Sequence, residues 1–238
     1  MAQVINTNVA SLFAGAALNR SANALQTAQQ RLSSGLRINS AKDDATGMAT
    51  AAKLDSNVRG ANMNLRNVND AISLAQTADG YLSQVLENTV RLKEIYVQTG
   101  AVSNEEAVGL LAENKRISGL VTASSAVTVD GAGNQTTAYG GTFTAATAFA
   151  NIGAFTTEID AIVTARAKFG ADMAVLGSAA NTLQTESVNL SAAYSRVMDT
   201  DYAAETTAMT KNQILQQAGI ASLAQSNQNP NMVLSLLR

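Results

Sequence analysis

Apolar residues recur along this chain at alternating steps of four and three. From Leu54 the series runs Val58, Ala61, Leu65, Val68, Ile72, Ala75; it slips near Gly80 and resumes through Leu82, Val85 and Leu92. A second series runs Phe169, Met173, Leu176, Ala180, Leu183, Ser187, Leu190, Tyr194, Val197 without a slip. A shorter one near the start is Leu18, Ala22, Leu25, Gln29, Leu32, Leu36. This alternation keeps one stripe of an α-helix apolar and is the seam of a coiled coil. One proline in 238 residues, Pro230, leaves these stretches free to stay helical. A helix from Asp44 to Thr99 would be about 84 Å long at ~1.5 Å per residue. A compact globule of this chain length is only ~45 Å across. The pattern therefore predicts a mainly α fold, a long coiled-coil rod with an early helix lying against a late one. The plainer alternative is an antiparallel helical bundle folded alone.

The middle breaks the pattern. Residues 120–157 are rich in Thr and Gly. Ala126 to Val129 and Gln135 to Tyr139 read as short strands around an Asp130-Gly131 turn signal, a small β-hairpin region between outgoing and returning helices. A second break follows the first helix, in RLSSGLRINSAKDDATGMA at 31–49. Gly35 can end that helix with a positive φ. Ser40 can cap the next, with Asp43 in the capping-box position and Asp44 beside it near the positive end of the helix dipole. Two adjacent acids could also suggest a cation site or acid–base chemistry, but acids at helix starts are common and no third ligand type is near. We expect no metal and no cofactor.

Composition narrows the function. The chain has no Cys and no His, which removes zinc fingers, thiolate nucleophiles, iron–sulfur sites and histidine-based triads. Sixteen Lys+Arg against eighteen Asp+Glu give no basic stripe, so no nucleic-acid partner is expected. No apolar run approaches ~18 residues, so no membrane insertion is expected. MAQVINTNVA lacks the basic and apolar regions of a secretory signal. Yet apolar side chains reach both ends: Ile5, Val9 and Leu12 at the start, Val233, Leu234, Leu236 and Leu237 at the close. Such residues are expected to be covered by something.

The strings SSGLRINSAKDDATGMA (33–49), MAQVINTNVASL (1–12) and NQNPNMVLSLLR (227–238) resemble bacterial flagellin, in the right order along the chain. The resemblance covers roughly residues 1–120 and 155–238. It implies a structural subunit, not an enzyme, that self-assembles into the helical flagellar filament for swimming. A hook–filament junction protein is the alternative. The flagellins that carry a metalloprotease do so in the variable middle, and a zincin motif needs two histidines that this chain lacks. The resemblance further implies terminal segments that order on assembly, so that Ile5, Val9, Leu12, Leu18, Leu25, Leu32, Val233, Leu234, Leu236 and Leu237 become subunit-packing residues. One or two heptads do not fold alone in water, but they can when neighbours bury their apolar faces. The implied domains are an inner terminal coiled coil, 1–43 with 199–238, and an outer helical rod, 44–198, with its β region at about 120–157.

Other implications follow from the same resemblance. The chain would leave the cell by flagellar type III export and reside in the extracellular filament. Its partners would be copies of itself, an export chaperone on residues such as Ile214, Leu215 and Leu223, and the cap and hook–filament junction proteins. VRLKEIYVQT at 90–99 matches the segment read by a host innate immune receptor, which would make Arg91, Ile95 and Glu113 its contacts. Lys93 and Tyr96 depart from the arginine and alanine usual there.

Overall fold

A computed structural model describes residues 7–124, 127–131, 135–139 and 143–236. The described elements are α1 (Val9–Ser34), α2 (Ala45–Thr99), α3 (Glu105–Ser124), β1 (Val127–Gly131), β2 (Gln135–Tyr139), α4 (Ile152–Met198) and α5 (Tyr202–Leu236). The fold is mainly helical, and each helix boundary has a local cause. Asn8 caps α1, its Oδ1 accepting from the Ser11 N–H at 3.1 Å. Gly35 ends α1 in the left-handed region at φ 73°, and Gly100 ends α2 the same way at φ 72°. Asn151 caps α4 through the Ala154 N–H at 2.9 Å, and Asp201 caps α5 through the Ala203 and Ala204 N–H groups.

The start of α2 differs from the expected capping box. Ser40 does not begin a helix. Asp43 accepts from the Ser40 N–H and hydroxyl, both at 3.0 Å, and from the Asn39 N–H, which closes a separate turn. Asp44 is the cap, accepting from the Gly47 N–H at 2.8 Å, and the helix opens at Ala45. Either acid could cap by residue type; Asp44 wins because Asp43 is already committed to Ser40.

The chain forms two compact units, Met1–Asp55 with Ala192–Arg238, and Ser56–Ser191. In the second, α2 and α4 pack along the predicted seams. Val68 and Ala71 meet Leu176 and Leu183; Leu82 and Val85 meet Ile162 and Phe169. Every α4 seam residue of this unit, from Phe169 to Leu190, is buried or half-buried. Across the same pair Arg166 grips Asp79 with two bonds, 2.7 and 3.2 Å. α3, which the apolar spacing did not announce, adds Ala107, Ile117 and Val121 to this core. The segment 143–151 is irregular yet packed: Phe149 stacks on Phe155 at 4.1 Å, and Glu158 accepts from the Ala146 N–H. β1 and β2 pair antiparallel from Val127↔Tyr139 to Gly131↔Gln135. Asp130 and Gly131 thus lie within β1 rather than forming a turn, and residues 132–134 and Ala126 are outside the described residues.

Candidate functional site

In the first unit, α1 and α5 pair antiparallel. Asn8 meets Ser226, Leu18 meets Gly219 and Arg31 meets Glu205, so position rises along one helix as it falls along the other. The breaks at the inner ends of these helices lie side by side. Leu36 and Asp199 form an isolated antiparallel bridge; the Arg37 N–H donates to Met198 O at 2.6 Å, and the Thr200 N–H to Gly35 O at 2.9 Å. The Arg37 guanidinium donates to Val197 O at 2.8 Å, satisfying a carbonyl that the end of α4 leaves open. Below this clasp Ile38, Ala51 and Met198 form a small core with Leu36, Tyr194 and Val197 packed against it.

The residues that α5 turns toward cover are unusual. Its covered positions mix Glu205, Asn212, Gln216, Gly219 and Ser226 with Ala208, Met209 and Leu223, while Ile214, Leu215 and Ile220 are exposed. An amphipathic surface helix keeps its large apolar residues on the covered face alone, whereas α5 carries them on both. α1 also exposes apolar groups: Val9, Leu12 (65%) and Phe13 (71%) share one helix face. Among the described residues of this pair the side chains buried to a core level are Ala28 and Ser226, and Leu18 packs over Gly219. The expected Gln29 is exposed and Ala28 takes its place in the seam. Large exposed apolar residues on one face mark interaction surfaces.

The predicted packing residues divide accordingly. Leu18, Leu25 and Leu32 are half-buried within the α1–α5 pair. Val9 and Leu12 lie on the exposed face. Val233, Leu234 and Leu236 belong to α5. Ile5 and Leu237 are outside the described residues. Among the proposed receptor contacts, Ile95 needs correction. It is 4% exposed, clustered with Leu92, Ala107, Phe149 and Phe155, and so is a core residue rather than an offered contact. Arg91 is exposed and bonds Glu106 and Glu94; those bonds, the one to Glu106 foremost, raise its pKa. Glu113 is held by Arg116, whose bond lowers the carboxyl's pKa. Among the described residues no cluster of acids could hold a metal ion, and no helix is long and apolar enough to cross a membrane.

These features find a match among known proteins. A family model described as the bacterial flagellin N-terminal helical region matches residues 5–143. Another, the bacterial flagellin C-terminal helical region, matches residues 152–237. The chain belongs to the bacterial flagellin family. Flagellins of Salmonella rubislaw, Salmonella typhimurium (strain LT2) and Escherichia coli K12 are each 50% identical to it over 107 residues. Those residues are 45% of this chain and 22% of each relative, so the match spans about a fifth of these longer flagellins. The flagellin N-terminal region takes in α1 to α3, and the C-terminal region takes in α4 and α5, so the pair α1–α5 joins the two matched regions.

Proposed function

We propose that the chain is a structural subunit that polymerises into a flagellar filament. The observation that carries this reading is the exposure of Leu12, Phe13, Ile214, Leu215 and Ile220 on helices that already cover a separate face against each other, through Leu18, Leu25, Leu32, Met209 and Leu223. Fully burying each such side chain contributes about 1.5–3 kcal/mol, a gain that neighbouring copies would supply. A head-to-tail contact whose rotation does not close makes a filament rather than a ring. On this reading residues 1–43 with 199–238 form the inner domain, and 44–198 the outer helical domain with a small β region. A hook–filament junction protein is less favoured, because both matched regions are those of flagellin.

The finer partners belong to the same proposal: an export chaperone, the filament cap and the junction proteins, with secretion to the cell exterior. Host-receptor contact rests on Arg91 and Glu113, and a reporter-cell assay of Arg91→Ala against the unaltered chain tests it. The filament reading is tested by negative-stain electron microscopy after adding a precipitating salt and filament seeds. Long tubes from the intact chain, absent from a copy lacking residues 227–238, are expected. An intact chain that stays monodisperse beside its seeds would overturn the proposal.

A further inference from the structure

The seam of α3 reads Ala107, Leu110, Asn114, Ile117, Val121, with steps of three and four. Its central position is an amide. The α2 seam facing it reads Leu82, Val85, Thr89, Leu92, and its matching position is a hydroxyl. Both are fully covered, Asn114 at 2% and Thr89 at 0% exposed, with Asn88 and Ser118 buried beside them. The groups form one chain of hydrogen bonds. Gln84 Nε2 donates to Asn88 Oδ1 at 3.1 Å, and Asn88 Nδ2 donates to Asn114 Oδ1 at 2.8 Å. Asn114 Nδ2 then donates to Thr89 Oγ1 at 3.3 Å, and that hydroxyl donates to Val85 O at 2.8 Å.

Apolar clusters flank this polar band on both sides. Val85 packs with Ile117 and Val121 toward one end; Leu92 packs with Ala107, Leu110 and Leu111 toward the other. Apolar contact is non-directional, so α3 displaced by one turn would still set apolar groups against apolar groups. The amides are directional. Displacement by one turn either way carries Asn114 to the level of Val85 or Leu92 and leaves buried donors and acceptors unpaired. A single polar residue at a seam position is known to fix register at a cost in stability.

We propose that Asn88, Thr89 and Asn114 are a register lock, setting how far α3 sits along α2. The lock is a property of the single chain and is independent of assembly. The chain has no cysteine, which makes the test direct. Spin labels go on Cys introduced at Asn69 of α2, about five turns along the helix from Asn88, and at Lys115 of α3, both exposed, so that the vector between them runs mostly along the helix axes. Pulsed electron–electron resonance then reads the distance between them in the full-length monomer. With the lock intact, one distance population is expected. In the variant carrying Asn88→Leu, Thr89→Val and Asn114→Leu, helix content is retained and a second population appears, displaced by about one turn, ~5 Å. A folded apolar variant with the single original distance would overturn the lock. Should that variant fail to fold, Asn88→Ala with Asn114→Ala carries the same readout: a second population supports the lock, and an unchanged single population overturns it.

Discussion

Replacing Gly47 by alanine sets helix propensity against local packing, and the structure decides the sign. Gly47 is the third residue of α2, and its N–H donates to the Asp44 cap at 2.8 Å. Propensity alone favours alanine by ~0.8–1 kcal/mol. A Cβ at this position, however, would collide with the Asp44 carboxylate and come within 2.7 Å of Ile38 Cδ1. Ile38 is buried against Ala51 and Met198 and has little room to move. Losing the cap costs about 1 kcal/mol. Overpacking a filled site costs ~1–3 kcal/mol more. The net expectation is destabilisation by ~1–3 kcal/mol, or roughly 2–12 °C in melting midpoint for a chain of this size. Circular dichroism at helical wavelengths on the monomer measures it. Gly15 lies in α1 of the same compact unit with nothing within 4 Å of an added Cβ. Gly15→Ala is therefore expected to raise the midpoint. Ile38→Val deletes the very methyl that is struck, so in that background the cost of Gly47→Ala falls. A Gly47→Ala midpoint raised as much as that of Gly15→Ala would refute the reasoning.

Three further outcomes are expected. The Asp43 carboxyl is held below its ordinary 3.8, first by the Ser40 hydroxyl and then by the Ser40 and Asn39 N–H groups. Its contribution is therefore present above that ordinary value and is lost as pH falls through the lowered one; Asp43→Asn lowers stability at neutral pH and flattens the acid limb in melts taken across the acid range. Phe155→Ala empties a fully buried site and removes the stack on Phe149; it costs about 3–5 kcal/mol by urea denaturation, and hydrogen exchange in 143–151 accelerates. Arg37→Ala strips the donor from Val197 O; it costs about 1 kcal/mol, and the Thr200 amide loses protection in hydrogen exchange.

Much of the helical skeleton was legible because a repeat of three and four steps survives every substitution that keeps a position apolar. The α2 and α4 seams show it, from Val68 against Leu176 to Phe169 against Leu82. α3 was hidden for the opposite reason. Its seam is interrupted by Asn114, and the α2 seam facing it by Thr89, so spacing of apolar residues alone reads past both. The cues available were Gly100 as a stop and Glu105 with Glu106 as an acidic first turn. The orientation of α5 was also illegible, since its apolar residues lie on both faces, Met209 and Leu223 covered, Ile214, Leu215 and Ile220 exposed. The substitution of Ala28 for Gln29 in the α1 seam is a one-residue drift where small side chains permit close approach. Ile95 matched a surface role by resemblance, but its surroundings of Phe149 and Phe155 come from a distant segment that local spacing does not reveal.

The central claim is that the exposed apolar face of α1 exists to be covered by other copies of the chain. Seeded polymerisation tests it most directly, with the unpolymerised concentration measured after sedimentation for the unaltered chain and for Phe13→Asp. Phe13 is 71% exposed, so the monomer's melting curve should be nearly unchanged. Losing ~2–3 kcal/mol of burial should raise the critical concentration by about 30–150-fold. Equal critical concentrations for the two chains would contradict the account.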